Sequence, residues 1–451
     1  MLKRYAVFEA VIEETVFPNK GLVRIDGEKV FIHDGLGGQK VKCQVTRKRR
    51  GRTEAKILEI LEPSPLEGQA PCPQFGSCGG CTYLHLPYEA QLAIKEKQVL
   101  GLLRDAGIQG FDFQGIEPSP NIYEYRNKME YTFGDDADRK LTLGLHKRRM
   151  RYEISPTPHC RLVDADFLAI QQLVLAYFQE VKVPFYHKKS RQGVLRHLVI
   201  RKAGTTGEIL VNLVTTSQMA LDLDELKERL KQLGLKGKLM GFLHTVNDGK
   251  GDTIKADSMQ VIFGEPMITE NILGLSFKIS AFSFFQTNSL GAEKLFSFVR
   301  EYAGSQSGLV YDLYCGTGTI AQILAPIARH VVGIEIVEEA IAAARMNAWL
   351  NKLTNCEFIA GDVLVELDHL TDMPNLIVVD PPRSGIHPKA LDKIVELEPP
   401  RLVYVSCNPV ALAEDLKVFA ASGYEVERLR LMDMFPHTPH IESVVLMSLG
   451  E

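Results

Sequence analysis

Two side chains near the C-terminal end of the sequence have types that suit covalent chemistry. Cys407 ends the apolar run of "RLVYVSCNP", residues 401–409, and Glu442 precedes the apolar run of "FPHTPHIESVVL", residues 435–446. A thiolate is a soft nucleophile, and a carboxylate in a partly dry pocket can have its pKa raised toward neutrality, which suits proton abstraction. Taken alone, Cys407 is more often a small apolar residue at the end of a buried strand, and Glu442 an acid at the edge of an element. The neighbouring residues decide between these interpretations.

A second group of residues has the spacing of a nucleoside-binding pocket. The segment "GLVYDLYCGTGTIA", residues 308–321, predicts a strand that runs into a glycine turn and a helix, and Glu335 ends the next predicted strand. In doubly wound folds an acid about 20 residues after the glycine turn binds ribose hydroxyls. The turn reads CGTGT and lacks the fuller GxGxxG pattern. It therefore favours a cofactor without a pyrophosphate, such as S-adenosylmethionine, with Gly316 allowing close approach of the backbone.

Two further acids follow predicted strands of the same region. Asp362 follows "CEFIA" and Asp380 follows "NLIVV". Both are expected, with Glu335, at the carboxyl edge of a parallel sheet, where open α/β sheets bind ligands. Cys407 ends the next predicted strand and is expected on the same rim. Adenine-N6 methyltransferases usually carry an aromatic residue after such an Asp-Pro-Pro triplet; Arg383 stands there instead, which disfavours that chemistry.

A methyl donor beside a rim cysteine indicates a reaction that needs a soft nucleophile. Carbon 5 of uracil is hardly nucleophilic until a thiolate adds to carbon 6, and a base must then remove the carbon 5 proton. Cys407 and Glu442 would supply these two functions. The sequence therefore predicts pyrimidine C5 methylation.

Four more cysteines form a separate candidate site. Cys72, Cys78 and Cys81 form a CxxxxxCxxC cluster, and Cys160 in "PTPHCRL" is a distant candidate fourth thiol. In a reducing compartment such clustering indicates metal binding or catalysis rather than disulfides. Four thiolates can hold a [4Fe-4S] cluster or a tetrahedral zinc ion, and oxidation can leave such a site empty.

The rest of the sequence predicts the elements that position these residues. Residues 1–61 alternate in short runs separated by glycine, which is typical of a small all-β barrel, and carry eight Lys or Arg against one acid between Lys40 and Lys56. Residues 62–270 predict an α+β central domain with basic segments that suit RNA contact. Residues 271–451 alternate strand and helix, as in a Rossmann-like α/β fold.

Composition limits the class of protein. The chain has 451 residues, is 45% hydrophobic and 24% charged, and carries a formal net charge of -4. Nucleic-acid binding must therefore depend on local basic patches. The sequence lacks a signal-peptide core and a long apolar run, so we expect a soluble, cytoplasmic protein without membrane contact.

The ordered motifs "SFFQTN" (residues 283–288), "DLYCGTGTI", "DPPRSG", "SCNP" and "FPHTPHIE" resemble the RNA (uracil-5-)-methyltransferase family. The resemblance covers the whole chain. It implies an N-terminal TRAM/OB-like RNA-binding barrel and a C-terminal class I methyltransferase domain, with Cys407 as nucleophile and Glu442 as base. It also implies cofactor contacts from the following residues: Gln286, Tyr314, Gly316, Glu335, Asp362 and Asp380.

The same resemblance implies further expectations about substrate and cofactors. Phe284 would stack on the adenosyl group or the target base, which would be flipped out of the RNA. The rRNA members carry a four-cysteine [4Fe-4S] cluster at this spacing, so Cys72, Cys78, Cys81 and Cys160 are assigned to such a cluster ahead of zinc. The barrel and the four cysteines together favour 23S rRNA as substrate, with tRNA as the alternative. We predict no protein partner and expect a monomer.

Two other functions are less compatible with the sequence. RNA cytosine-5 methyltransferases place a cysteine at the Asp-Pro-Pro position, where this sequence has no thiol. A non-catalytic RNA-binding or assembly factor would not need Cys407 and Glu442. Both alternatives are therefore less favoured than uracil C5 methylation.

Overall fold

The computed structural model describes residues 2–49, 52–136, 138–150, 152–251, 256–370 and 372–450, except for the side chains of residues 306 and 307. No described helix is both long and apolar enough to cross a membrane.

The N-terminal region is β-rich. Its described strands are β1 (Val7–Val11), β2 (Glu14–Val16), β3 (Lys20–Ile25), β4 (Glu28–His33), β5 (Lys40–Arg49) and β6 (Arg52–Glu62). They pair in the order β1-β5-β6-β4-β3-β2. Alternate residues of β5 face the core, so Val41, Cys43 and Val45 are fully buried while their neighbours are not. The predicted β-rich region is confirmed, and its closure into a TRAM barrel stays a prediction. Arg50, one of the eight predicted basic residues, lies outside the described residues.

The central region contains a mixed sheet covered by helices. Its elements are α1 (Tyr88–Asp105), β7 (Asp112–Glu117), β8 (Lys128–Asp135), β9 (Leu141–His146), β10 (Ile154–Pro156), α2 (Ala165–Val181), β11 (Leu195–Lys202), β12 (Glu208–Thr215), α3 (Asp224–Gln232), β13 (Lys238–Val246) and β14 (Ser258–Gly264). The sheet runs in the order β10-β9-β8-β11-β12-β13-β14. Residues of α2 and α3 such as Phe167 and Leu226 pack in its core with Leu198 of β11.

The C-terminal region alternates strands and helices. Its elements are β15 (Met267–Ile272), β16 (Leu275–Ser280), α4 (Ser289–Ala303), β17 (Gln306–Leu313), α5 (Thr319–Leu324), β18 (Ala328–Glu335), α6 (Glu338–Leu350), β19 (Cys356–Ala360), α7 (Val363–Glu366), β20 (Leu376–Val379), α8 (Pro388–Glu396), β21 (Arg401–Ser406), α9 (Pro409–Ala421), β22 (Tyr424–Met432) and β23 (Glu442–Leu449). The strands β15 and β16 form a separate hairpin.

The main sheet of this region is doubly wound. Its described strands run in the order β19-β18-β17-β20-β21-β23-β22-β7. All the strand pairs are parallel except those of β23, which is antiparallel to both β21 and β22. The continuous apolar runs in β20 and β21 are buried because helices cover both faces of the sheet. The strand order reverses between β17 and β20, which opens a crevice at the carboxyl ends.

Two elements that precede the central sheet belong to this α/β layer. Strand β7 adds to the sheet edge in parallel with β22. Val99 and Leu103 of α1 are buried in the core on one face of the sheet, together with Leu416 of α9. The α/β layer therefore contains residues 88–117 as well as the segment after residue 271. The predicted boundaries, 62–270 and 271–451, assign residues 88–117 to the central domain alone.

Candidate active site

Register places the predicted nucleophile and two acids on one rim of the main sheet. Asp380 directly follows β20, and Cys407 directly follows β21, which pairs in parallel with β20. Glu442 begins β23, and because β23 runs antiparallel to β21 its first residue lies at the same edge. Ser406 pairs with Ser443, the neighbours of Cys407 and Glu442. The three side chains thus meet where a parallel sheet presents its ligands.

Asn408 fixes the backbone around Cys407. Its Oδ1 accepts a hydrogen bond from the Val410 backbone N–H at 3.1 Å, which caps α9, and Pro409 takes the first position of that helix. Its Nδ2 donates to the Arg383 carbonyl at 2.8 Å. Asn408 therefore ties the loop that carries Cys407 to the Asp-Pro-Pro-Arg loop that begins at Asp380.

The electrostatics of this rim favour the protonated forms of its acidic groups. Burial raises the pKa of the Cys407 thiol to about 11, the negative charges of Glu442 and Asp380 add to this shift, and the Arg383 cation opposes it. Burial also raises the pKa of Asp380 to about 7 and holds the pKa of Glu442 well above its usual range. Glu442 is only 4% exposed. The resting site therefore holds a thiol rather than a thiolate, and Arg383 is the cation that favours its ionisation.

A glycine turn opens beside this rim between β17 and α5. Gly316 and Gly318 have positive φ values of 54° and 71°, which glycine adopts without strain. A Cβ on Gly318 would lie 2.6 Å from the Phe358 ring, so glycine is also needed there for packing. The Glu335 carboxylate accepts hydrogen bonds from the backbone N–H groups of Gly316 at 3.2 Å and Val337 at 3.0 Å. These hydrogen bonds stabilise the turn and place the Glu335 carboxylate at its open end.

Asp312 is a site residue that the sequence pattern did not single out. It is fully buried in β17, and its Oδ2 accepts a hydrogen bond from the Ala321 backbone N–H at 2.8 Å. Within the described part of the chain its Oδ1 has no hydrogen-bond partner. Burial, together with the nearby charges of Asp380 and Glu335 and against the hydrogen bond from Ala321, raises its pKa to about 8. An acid inside the apolar run "LVYDLY" was the signal that could have identified it.

Asp362 and Tyr314 lie beside the same crevice. Asp362 caps α7 by accepting a hydrogen bond from the Leu364 backbone N–H at 2.9 Å. Tyr314 follows β17 with a positive φ of 64° and is half-buried. Burial raises the pKa of its hydroxyl, and the charge of Asp362 adds to that shift. Asp362 therefore has a structural function as a helix cap in addition to its expected place near the cofactor.

The loop that carries Phe284 and Gln286 is held by the central region. The Arg201 guanidinium, which is buried, donates to the carbonyls of Ala281, at 3.2 Å, and of Ser283. Asn127 Nδ2 donates to the Gln286 carbonyl at 2.9 Å. Phe284 is 72% exposed. The central region thus holds the backbone of this loop through hydrogen bonds, while the Phe284 ring is exposed and can stack on a ligand.

The four clustered cysteines share one cavity. Cys72, Cys78, Cys81 and Cys160 line a cavity of about 30 Å³ together with apolar side chains. Burial raises the pKa of the Cys78 and Cys160 thiols, and the neighbouring thiols raise these pKa values too. A bound cation that stabilises thiolates would therefore lower these pKa values.

This cavity does not, however, present a formed metal site. Across the described ranges, no group of three or more His, Cys, Asp or Glu side chains is arranged to hold a metal ion. The thiols fit the donor set of a thiolate-bound centre, but apolar neighbours such as Phe75 and Leu145 close around them. The predicted iron–sulfur cluster is therefore not confirmed.

Comparisons with known proteins agree with this geometry. Residues 204–449 match the family model described as tRNA (uracil-5-)-methyltransferase. A protein of Clostridium tetani described as an uncharacterized RNA methyltransferase is 50% identical over 440 residues, covering 97% of this chain and 96% of that protein. A second protein so described, from Halalkalibacterium halodurans, is 35% identical over 452 residues and covers 98% and 97%.

A solved structure matches nearly the entire chain. It is the tRNA (uracil-54, C5)-methyltransferase of Pyrococcus abyssi in complex with S-adenosyl-L-homocysteine, with a TM-score of 0.76, 26% identity, and coverage of 98% of this chain and 100% of that one. The predicted multidomain organisation and the C-terminal methyltransferase fold are confirmed by this match, as is the predicted enzyme class, an S-adenosylmethionine-dependent RNA uracil-5 methyltransferase. The chain belongs to the tRNA (uracil-5-)-methyltransferase family.

Proposed function

We propose that this protein methylates carbon 5 of specific uridines in 23S rRNA through a covalent Cys407 adduct, with Glu442 as the base. The observation that carries the mechanism is the meeting of Cys407, Asp380 and Glu442 on one rim of the sheet, beside the glycine turn. When bound, S-adenosylmethionine supplies an electrophilic methyl group to this rim.

The residues of the rim divide the reaction between them. Asp380, whose pKa of about 7 lies near the operating pH, takes the proton of the Cys407 thiol as the sulfur bonds to uracil carbon 6. This addition moves the electrons of the carbon 5–carbon 6 double bond toward carbon 5 and the carbonyl oxygen, so carbon 5 becomes the nucleophile that accepts the methyl group. Glu442, in its ionised form, then removes the carbon 5 proton, the double bond re-forms, and the Cys407 thiolate leaves and takes back the proton held by Asp380. One proton is released per methyl group transferred.

The cofactor pocket uses the carboxyl edge around the glycine turn. Glu335 is proposed to bind the ribose hydroxyls, Asp362 to lie near the adenine, and the backbone at Gly316 to face the nucleoside. Asp312 lies near the end of β17, beside the same crevice. We assign its Oδ1, which has no partner among the described residues, to the positively charged amino group of the cofactor, because a buried acceptor without a partner is costly.

Four more residues complete the proposed pocket. Gln286, Tyr314 and Asp380 are proposed to contact the cofactor from the loops that flank the crevice. Phe284 is proposed to stack on the adenosyl group or the flipped uracil, which its exposed ring supports.

The choice of RNA is tested by mapping 5-methyluridine. We expect total RNA from a deletion strain to lack 5-methyluridine at one or more 23S rRNA positions, and the purified protein with S-adenosylmethionine to restore it on unmodified 23S rRNA. Loss confined to tRNA would move the assignment to tRNA, the substrate named for the Pyrococcus abyssi protein. Methylcytosine as the product would overturn uracil chemistry.

The N-terminal region is proposed to bind the RNA backbone. Arg47, Arg49 and Arg52 are exposed and, with Glu54, line a surface depression of about 650 Å³. The Arg52 guanidinium lies 4.8 Å from the centre of the Phe31 ring. Clustered cations beside an aromatic ring suit contact with phosphates and bases.

Removing two of these charges should weaken RNA binding without affecting the cofactor. For Arg47→Ala/Arg49→Ala we expect the KM for RNA to rise roughly fivefold to tenfold and the salt dependence of binding to fall by about one unit for each lost phosphate contact. The measurement is the KM at several salt concentrations. Lys389→Ala/Lys417→Ala, an equal loss of exposed charge from α8 and α9, is the control. Equal effects of the two double variants would exclude a specific function for this surface.

We further propose that Cys72, Cys78, Cys81 and Cys160 hold a [4Fe-4S] cluster, because these four thiols, which line one cavity, supply the donor set that such a cluster needs. We expect protein purified without oxygen to contain about four iron and four sulfide per chain, and Cys160→Ser to lose them together with the visible absorption band. If the protein contains stoichiometric zinc and no sulfide, the site is a zinc site and not a cluster. If protein kept free of oxygen contains neither iron nor zinc, the proposal of a metal site is wrong.

A further inference from the structure

The loop between β22 and β23, residues 433–441, leads directly into Glu442 and is tied to the N-terminal half of the chain by a buried ion pair. The Lys95 ammonium of α1 lies 2.6 Å from the Asp433 carboxylate, and both side chains are 0% exposed. The other Asp433 oxygen accepts a hydrogen bond from the Tyr88 hydroxyl at 2.9 Å. Tyr88 in turn accepts one from the Ser119 backbone N–H at 2.8 Å.

Four successive carbonyls of this loop accept hydrogen bonds from residues that lie far before it in the sequence. The donors are Asn288 Nδ2 to Met434 at 3.0 Å, Lys95 Nζ to Phe435 at 3.2 Å, the Tyr125 hydroxyl to Pro436 at 3.1 Å, and the backbone N–H groups of Thr82 and Tyr83 to His437 at 2.8 and 2.9 Å. A loop that carried no function could satisfy such carbonyls with water at the surface. In this protein, each of the four carbonyls instead accepts a hydrogen bond from a residue of a distant segment.

His437 is fixed by its backbone and its ring. Gln91 Oε1 accepts from the His437 backbone N–H at 2.8 Å, and Gln91 Nε2 lies 3.1 Å from the ring Nδ1. The ring Nε2 lies 2.9 Å from the Ile122 carbonyl. Burial lowers the pKa of His437 to about 4, so the ring is neutral; Gln91 then donates to Nδ1, and Nε2 donates to Ile122. His437 has a positive φ of 67°, a conformation that a non-glycine residue keeps only when its surroundings hold it.

The ion pair is difficult to explain by stability alone. Removing two charges from water is costly, and a pair of apolar residues in the same space often stabilises a protein equally well. A buried pair does, however, fix position and direction, because the ion pair and the hydrogen bonds of its members to Tyr88 and to the Phe435 carbonyl are satisfied together in one arrangement. That property matters where a proton must be removed, since a base must lie within hydrogen-bond distance of that proton.

We propose that α1 is the positioning element for the base: Lys95, through Asp433, and Gln91, through His437, set the loop 433–441 and so the place of Glu442 at the rim. This inference rests on the proposed function of Glu442. Lys95, Gln91 and Asp433 are positioning residues, since they act through the loop and not on the substrate. Helix α1 therefore contributes to removal of the carbon 5 proton, although in the sequence the whole central sheet lies between α1 and the α/β segment.

The test compares Lys95→Met with Glu442→Gln on natural uridine RNA. Methionine has a similar length but leaves Asp433 without its cation. For Lys95→Met we expect kcat to fall roughly 10- to 100-fold, as for a small displacement of a reacting group, with the affinity for S-adenosylmethionine changed less than twofold. We also expect the covalent RNA–protein adduct to accumulate during turnover, and deuterium uptake by the loop 433–441 to rise.

Thr245→Val is the matched control. It breaks the buried hydrogen bond of 2.9 Å between Thr245 and Asn212 in the central sheet, away from the loop. Such a loss of stability lowers the amount of active enzyme but should neither accumulate adduct nor change deuterium uptake in residues 433–441.

Each outcome decides between the hypotheses. A folded Lys95→Met protein that loses activity without adduct, or whose loop stays as protected as in the wild type, would overturn the positioning proposal. If Glu442→Gln accumulates no adduct, the function of Glu442 is wrong, and loop protection still tests the contribution of Lys95 separately. If Lys95→Met does not fold, Tyr88→Phe, which removes one hydrogen bond to Asp433, should produce the same effects in smaller degree, and their absence would overturn the proposal.

Discussion

Replacing Cys407 by alanine is expected to reduce methyl transfer by about 10⁴-fold or more and to abolish covalent binding to RNA. The reason is that uracil carbon 5 gains its nucleophilic character from addition of this sulfur to carbon 6, and no other group can replace that bond. The measurement is transfer of labelled methyl from S-adenosylmethionine, together with mass mapping of the adduct on RNA that contains 5-fluorouridine. Fluorine cannot leave as a proton does, so the wild-type adduct should persist and map to Cys407.

The pH dependence of adduct formation gives an independent check. Because burial and the charges of Glu442 and Asp380 raise the pKa of Cys407 to about 11, the thiolate is a small fraction at neutral pH, and that fraction grows as pH rises. The rate of adduct formation should therefore increase between pH 6 and pH 9, first as Asp380, with a pKa of about 7, becomes able to accept the thiol proton and then as the thiolate fraction grows. A rate that is already constant at pH 7 would indicate a thiol ionised in the resting enzyme.

Cys356→Ala is the matched control for the nucleophile. Cys356 begins β19, so it lies at the opposite edge of the main sheet, and it is partly buried as Cys407 is. We expect this variant to keep full adduct formation. An adduct that persisted in Cys407→Ala, or that mapped to another cysteine, would show the assignment of the nucleophile to be wrong.

Replacing Glu442 by glutamine should stop the enzyme after methyl transfer rather than before it. Glutamine keeps the shape of the side chain but cannot take the carbon 5 proton, so we expect kcat to fall by roughly 10²- to 10⁴-fold. Glu442 is also one of the charges that raise the pKa of Cys407, so its removal should not slow the addition step. The methylated adduct should therefore accumulate on natural uridine RNA, which denaturing gels and mass spectrometry would detect.

The control for this variant is Glu414→Gln, an exposed carboxylate on α9 that pairs with Lys417 at the surface. It should turn over as the wild type does. Normal release of product by Glu442→Gln, with no adduct, would assign proton removal to another group on the rim, such as Asp380, whose charge acts on Glu442.

The parts of the site that could be predicted are those that local pattern determines. Asp380, Cys407 and Glu335 each follow or end an apolar run, and alternation of strands with helices brings such positions to one edge of a sheet. The glycine turn at Gly316 was predictable for the same reason, because a strand, a tight turn and the start of a helix follow each other directly in the segment 308–321.

The parts that could not be predicted depend on contacts between distant segments. Lys95 lies in a helix with several other charged residues, and nothing in its neighbourhood distinguishes it from a solvent-exposed lysine; only the fold brings Asp433 to it. Strand β7 likewise pairs with β22, although the central sheet and most of the α/β segment lie between them in the sequence. Arg383 entered the sequence argument only as a residue that excludes another chemistry, whereas the structure places its charge beside the nucleophile.

The shared sheet edge has a consequence for how this chain is made. Strand β7 leaves the ribosome long before its partner β22, and at about 5–20 residues per second the delay is on the order of 15 to 60 s. During that time residues 1–117 can complete the N-terminal sheet but leave one strand and the buried face of α1 without their final neighbours. The catalytic layer therefore closes only when β22 and β23 have been synthesised, and a protein that lacks β7 would lose the same edge of the sheet as one that lacks β22.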